Sequence, residues 1–131
     1  MPITKRRINS KQKGNRWERE CAKFLQRWWP EARRQTYDQS RKGNEQPDVM
    51  GTPFWVECKA YKKVTQGLVT KWIEKMKSDN TQDLPMILFI RDTAKRETTI
   101  CLIRKPFDAA IFSSFDIFAI YCARLVESEG K

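Results

Sequence analysis

The segment from Phe54 to Ala60 restricts the fold more than any other, because its residue types alternate with a period of two. Successive side chains of a β-strand point to opposite faces of the sheet. One face of this segment is apolar, whereas the other carries Trp55, Glu57 and Lys59. The alternation therefore predicts a strand with one face in a core and two charged groups side by side on the other.

Three other stretches carry apolar residues at helical spacing. The first begins at Asn15 and ends at Pro30, and the second is marked by Leu68, Trp72 and Met76. The third lies in the apolar tail after Phe107, where we expect a helix over 115–125 with Ser114 as its cap. Each of these stretches is predicted to lie against a sheet.

Further strands are expected over 33–39, 85–90 and 98–103, and the last two would form a hairpin through the polar turn 91–97. Strands that alternate with helices predict an α/β domain, here a mixed central sheet flanked by helices. A chain of 131 residues fits one such domain. We expect residues 1–14 to be a flexible basic arm and residues 15–131 to be the folded domain.

Positive charge is concentrated near the N-terminus. The net charge is +10, and residues 1–43 hold 13 basic and 4 acidic residues, a local excess of +9. A localised basic surface attracts polyanions, so nucleic acid is the first partner to consider. The candidate DNA-binding residues in the arm, the first helix and the polar loop 39–46 are Lys5, Arg6, Arg7, Lys11, Lys13, Arg16, Arg41 and Lys42.

The cysteines argue against two classes of small protein. The chain has four cysteines, no CxxC pair and no histidine, so a zinc finger is not expected. Most of them lie in apolar, patterned stretches, which favours buried, reduced thiols over a disulfide framework. With no apolar run of membrane-spanning length and no signal-peptide pattern, we expect an intracellular, cytoplasmic protein.

The acidic residues suggest a metal site. Asp48 precedes the alternating strand and is separated from Glu57 by a turn at Gly51 and Thr52. Adjacent antiparallel strands would bring the two carboxylates together, and a cation between them would offset their repulsion. Hard oxygen ligands suit Mg²⁺, or Mn²⁺ as an alternative. Lys59 lies on the same face as Glu57 and could orient a water molecule or stabilise charge on a phosphate.

These residues resemble the motif of the PD-(D/E)xK nuclease superfamily, with Pro47-Asp48 followed by Glu57-Cys58-Lys59. The segment 13–20, KGNRWERE, is also similar to the start of the archaeal-type Holliday junction resolvases. The resemblance implies a restriction-endonuclease-like core, a homodimer and a metal-dependent endonuclease that resolves four-way DNA junctions.

The same resemblance implies individual roles. Glu18, Asp48 and Glu57 would bind the metal directly or through water, with the main-chain carbonyl of Cys58 as a further ligand. Lys59 would serve the nucleophilic water. Helical geometry alone does not choose between Glu18 and Glu20, because each lies about 80° from the centre of the apolar stripe.

Two other functions fit the sequence. The same motif occurs in restriction, repair and flap-type nucleases, so a different DNA substrate stays open. A basic DNA-binding module without catalysis would retain the positive arm but not the chemistry.

Overall fold

The computed structural model describes residues 10–35, 46–104 and 108–129, which form six strands and three helices. The elements in chain order are α1 (Ser10–Leu25), β1 (Arg33–Arg34), β2 (Val49–Met50), β3 (Trp55–Tyr61), α2 (Gln66–Asp79), β4 (Met86–Asp92), β5 (Glu97–Arg104), β6 (Asp108–Phe112) and α3 (Phe115–Glu129). The predicted α/β class is confirmed.

The strands form one mixed sheet in the order β1-β2-β3-β4-β5-β6. β3 and β4 are parallel, with Glu57 opposite Leu88, and α2 makes the crossover between them. The other neighbouring pairs are antiparallel. The predicted hairpin of β4 and β5 is confirmed, and Asp92 faces Glu97 at its end.

α1 and α3 contribute to one buried cluster on the face of the sheet that carries Val56 and Cys58. Phe24 of α1 and Phe118 of α3 stack at 5.9 Å between ring centroids. The indole nitrogen of Trp17 donates a hydrogen bond of 3.1 Å to the carbonyl oxygen of Phe89 in β4. Aromatic packing and this buried hydrogen bond together fix α1 against the sheet.

α2 covers the opposite face over β3 and β4. Its buried residues Trp72 and Met76 form a second cluster with Trp55, Met86 and other apolar side chains of the sheet. Thr65 caps the helix, because its hydroxyl accepts a hydrogen bond of 3.2 Å from the backbone N–H of Leu68. β3 is therefore enclosed on both faces, including at Trp55, which is 3% exposed.

Several boundaries differ from the sequence predictions. α1 begins at Ser10, so residues 10–14 of the expected arm belong to the helix; Lys and Gln are good helix formers even without an apolar stripe. The strand expected over 33–39 is β1, Arg33–Arg34, and residues 36–45 lie outside the described part. β6 was not predicted, because its sequence DAAIF has weak strand propensity and is stabilised by pairing with β5 and by packing of Phe112 on Phe118.

The predicted C-terminal helix is confirmed as α3, and the Ser114 hydroxyl accepts a hydrogen bond of 3.2 Å from the backbone N–H of Ile117. All four cysteines are buried and free, as expected. None of the helices α1 to α3 is long and apolar enough to cross a membrane.

Candidate active site

The backbone holds Asp48 firmly at the start of the β2–β3 hairpin. Its N–H donates to the carbonyl oxygen of Val56, and its carboxylate Oδ2 accepts from the N–H of Cys58, both at 2.8 Å. Gly51 makes the turn possible, because its φ is +86° and a Cβ there would collide with the carbonyl of Glu31. The hairpin thus fixes the Asp48 carboxylate beside β3.

Glu57 lies on β3 with its side chain on the α2 side of the sheet. Its Oε2 accepts a hydrogen bond of 3.0 Å from the indole nitrogen of Trp55, two residues earlier on the same face. The side chains of Glu57 and Asp48 are close enough to alter each other's pKa. The two acids that the sequence placed together are therefore neighbours at one site.

Burial of the site raises the pKa of both acids. Burial raises the pKa of Glu57 to about 8, and the nearby negative charge of Asp48 contributes to the increase. Burial also raises the pKa of Asp48, although the hydrogen bond from the Cys58 backbone opposes this shift. Two desolvated carboxyl groups at such close range favour sharing a proton or a cation over both being ionised alone.

Lys59 is the positive group nearest to these acids on β3. Its ammonium lowers the pKa of Asp48 and Glu57 against the effect of burial. The same ammonium lies 5.9 Å from the centroid of the Trp72 ring in α2, within cation–π range. Lys59 therefore faces the acidic pair from the α2 side.

Glu18 approaches the same place from α1. Burial and the charge of Asp48 raise its pKa, while Arg34 lowers it. The Arg34 Nε donates to Glu18 Oε1 at 3.0 Å, in a half-buried ion pair between α1 and β1. Glu20 is exposed and lines a surface cleft with Arg16 and Arg91. Of the two helix acids that the sequence left open, Glu18 is the one near Asp48.

Two buried thiols lie where α1 packs on β3. Cys21 on α1 and Cys58 on β3 belong to the same buried cluster, and burial raises the pKa of both thiols. Their packing brings the helix turn of Glu18 close to the strand that carries Glu57.

The donor set fits a magnesium-type ion. Within residues 10–35, 46–104 and 108–129, no three acidic or thiol side chains are arranged as a complete metal cage. Asp48 and Glu57 provide a desolvated pair of hard oxygen donors. Mg²⁺ is commonly held by one or two carboxylates and keeps several waters, so a pair of this kind matches its preference.

The candidate DNA-binding residues lie partly on α1 and partly outside the described residues. Lys5, Arg6, Arg7, Arg41 and Lys42 lie outside the described residues. The positions of Lys11 and Lys13 belong to α1, because the helix begins at Ser10. Arg16 is exposed on α1, at a cleft that also includes Trp17 and Thr93.

Two side-chain contacts at the site were not predicted from the sequence. The hydrogen bond from Trp55 to Glu57 could have been anticipated, because strand alternation placed both side chains on one face. Arg34 gave no such signal, since its partner Glu18 is 16 residues away on another element. Only the packing of α1 against β1 brings Arg34 and Glu18 together.

A comparison with family models places these residues in a known group. The family described as "Phage putative PDDEXK endonuclease" matches residues 9–116, which include every element from α1 to β6. The chain belongs to this PD-(D/E)xK endonuclease family. The match supports the superfamily and the restriction-endonuclease-like fold expected from the Asp48 and Glu57-Cys58-Lys59 motif. No curated protein matches the chain.

Proposed function

We propose that the protein is a metal-dependent endonuclease that hydrolyses phosphodiester bonds in DNA. The observation that carries the proposal is the close approach of the Asp48 and Glu57 carboxyl groups in a desolvated site, with Lys59 near both. A structural role alone gives no reason to desolvate two mutually repelling acids side by side. Membership of the PD-(D/E)xK endonuclease family supports the same activity.

Asp48 and Glu57 would bind Mg²⁺, or Mn²⁺, together with the main-chain carbonyl of Cys58. Glu18 is proposed to complete the site through water, because its carboxylate is near Asp48 but is already paired with Arg34. A bound divalent ion would supply Lewis-acid stabilisation of the phosphate and a more acidic water. The protein's own contribution is to hold the acids in place and to exclude competing solvent.

Lys59 is proposed to act on the attacking water and on the developing charge. An ammonium group can hydrogen-bond to the water and stabilise negative charge on a phosphoryl oxygen. A protonated lysine has three N–H donors and no acceptor. Lys59 would therefore orient the water without removing a proton from it. Contact with the Trp72 ring limits the freedom of this long side chain.

DNA is proposed to bind along the basic N-terminal surface. Lys5, Arg6, Arg7, Lys11, Lys13, Arg16, Arg41 and Lys42 would contact phosphates and give an affinity that falls with salt. The substrate that the sequence resemblance favours is the four-way DNA junction, in recombination or repair. A DNA substrate and four free thiols favour an intracellular setting.

A homodimer would allow two symmetric cuts in such a junction. Ile111 on β6 and Ile117 and Ile120 on α3 are candidate contact residues, because their large apolar side chains are 72%, 48% and 58% exposed. Exposed apolar groups can mark protein contacts.

A cleavage assay tests the activity and the substrate together. Four-way junction, linear duplex, flap and single-stranded DNA are incubated with Mg²⁺, with chelator, and with the variants Asp48→Ala and Glu57→Gln. We expect junction cleavage by the wild type and a loss of at least about 1,000-fold in both variants, equivalent to roughly 4 kcal/mol of activation free energy.

The outcomes separate the alternatives. Cleavage by Asp48→Ala at the wild-type rate would remove the proposed active site. A preference for linear duplex or flap DNA would instead favour another nuclease of the same superfamily. DNA binding without any cleavage would favour a non-catalytic binding module. Removal of residues 1–9 should reduce the salt dependence of binding, and an unchanged slope would exclude the arm from the interface.

A further inference from the structure

We propose that Trp55 is a positioning residue for the metal site, because its indole N–H holds one carboxylate oxygen of Glu57. This inference rests on the proposed function, since it concerns how Glu57 is presented to the metal. The hydrogen bond from Trp55 Nε1 to Glu57 Oε2 is 3.0 Å long. The carboxylate is therefore held through one oxygen, and the other remains available to a second partner.

Burial makes this arrangement rigid. Trp55 is 3% exposed and belongs to the cluster that α2 closes with Trp72 and Met76. An aromatic ring enclosed on all sides has few rotamers, so its N–H keeps a fixed direction. Glu57 in contrast is a long, half-buried side chain on the same face as Trp55. Because the core holds the indole in place, its hydrogen bond fixes the orientation of the Glu57 carboxylate.

The hydrogen bond places Trp55 directly behind a proposed metal ligand, because its N–H lies 3.0 Å from Glu57 Oε2. Outer groups that orient metal ligands typically contribute about 10- to 100-fold to metal affinity. Trp55 belongs to this type of group by its geometry.

α2 takes part in the same arrangement. Trp72 packs in the cluster with Trp55, and its ring faces the Lys59 ammonium at 5.9 Å. The two charged residues of the Glu57-Cys58-Lys59 motif are thus each next to a buried tryptophan on the α2 side of the sheet. The core beneath α2 and the catalytic face of β3 are one packed unit.

The first test uses the wild-type protein and needs no substitution. Mg²⁺ is added to ¹⁵N-labelled protein while the assigned indole N–H signals are followed by NMR. We expect the Trp55 signal to shift because its acceptor becomes a metal ligand. Trp17 is the internal control, since its indole N–H is also buried but donates to the carbonyl of Phe89. Equal responses of the two signals, or a silent Trp55 signal, would overturn the proposal.

The second test compares matched variants by calorimetric titration with Mn²⁺. Trp55→Phe keeps an aromatic ring but removes the N–H, and we expect roughly tenfold weaker Mn²⁺ binding. Trp28→Phe is the control, because it removes the same atoms from a half-buried tryptophan of the other cluster, where the ring contacts Phe24 and Trp29. Its Mn²⁺ affinity should stay within about twofold of the wild type, with similar melting temperatures for both variants.

A double variant decides whether the effect passes through Glu57. In the Glu57→Gln background, adding Trp55→Phe should weaken Mn²⁺ binding no further. Wild-type affinity in Trp55→Phe, or an equal loss in Trp28→Phe, would overturn the positioning role and leave the nuclease assignment intact. Failure of the wild type to bind Mn²⁺ would overturn the metal site and the positioning role together.

Discussion

The two ends of the sheet differ in which side chains lie in an unfavourable environment: acidic ones at one end and an apolar one at the other. At the β1–β3 end, carboxyl groups are desolvated, and Arg34 of the edge strand pairs with Glu18. At the β6 end, the apolar side chain of Ile111 is 72% exposed. Buried charge and exposed apolar surface each cost stability, and both commonly mark function. We propose chemistry at the first end and, for the proposed homodimer, association at the second.

The edge strands show the same contrast in their exposed backbone. β1 is two residues long and carries two arginines, which discourages another strand from pairing with it. β6 carries Ala109, Ala110 and Ile111, exposed residues without charge. Beyond Asp108 this strand carries no charged residue, which suits pairing with a second copy. The β6 end is therefore the better candidate for the proposed homodimer.

Among the variants that test this comparison, the largest effect is expected for the acid on α1. Glu18→Gln should reduce junction cleavage by roughly 100-fold, because it removes a negative charge next to Asp48. Glu20→Gln is the matched control on the same helix, and its rate should stay within about twofold of the wild type. Both rates are measured at saturating Mg²⁺, with melting temperatures to exclude unfolding. Equal losses of cleavage rate in the two variants would mean that the acid near Asp48 has no larger role than the exposed acid on the same helix.

A smaller effect is expected at the opposite end of the sheet. Ile111→Lys should weaken self-association at least tenfold, because pairing two β6 edges would bury the new charge. Analytical ultracentrifugation measures the dimer dissociation constant. Thr81→Lys adds the same charge at an exposed position after α2 and should leave it unchanged. A wild-type monomer, or an unaltered dimer in Ile111→Lys, would contradict the assignment of this end to association.

The smallest effect is a pH dependence of the metal-free protein. Burial raises the pKa of Glu57 from 4.5 to about 8, so the folded state binds a proton that the unfolded state releases above its own pKa. Stability from this group is full below about pH 4.5 and is lost as the pH rises towards 8. We expect the melting temperature to fall by roughly 5 °C more in the wild type than in Glu57→Gln between pH 5 and pH 9.

Added Mg²⁺ should recover part of this loss at high pH, because the ion binds the deprotonated acids. Differential scanning calorimetry with and without Mg²⁺ measures both effects. An identical pH profile in Glu57→Gln would mean that the acidic pair is not desolvated, and the contrast between the two ends would disappear.

Much of the α/β order was predictable because periodicity is local. The alternation around Glu57, the helix of Trp72 and the hairpin of β4 and β5 are each recorded in a few consecutive residues. The pairing of Asp48 with Glu57 was also predictable, since a short turn joins their strands. β6 was not predicted, because its own residues have weak strand propensity and it depends on pairing with β5.

Residue order alone thus determined the two strands of the hairpin and the acids and lysine that they carry. Tertiary structure decided which helix acid approaches them, since the docking of α1 on β3 selects Glu18 over Glu20. It also decided that Trp55 is enclosed by α2 and donates to Glu57. The reason is physical: strand alternation depends on neighbours along the chain, whereas desolvation and hydrogen-bond direction depend on elements that meet only after folding.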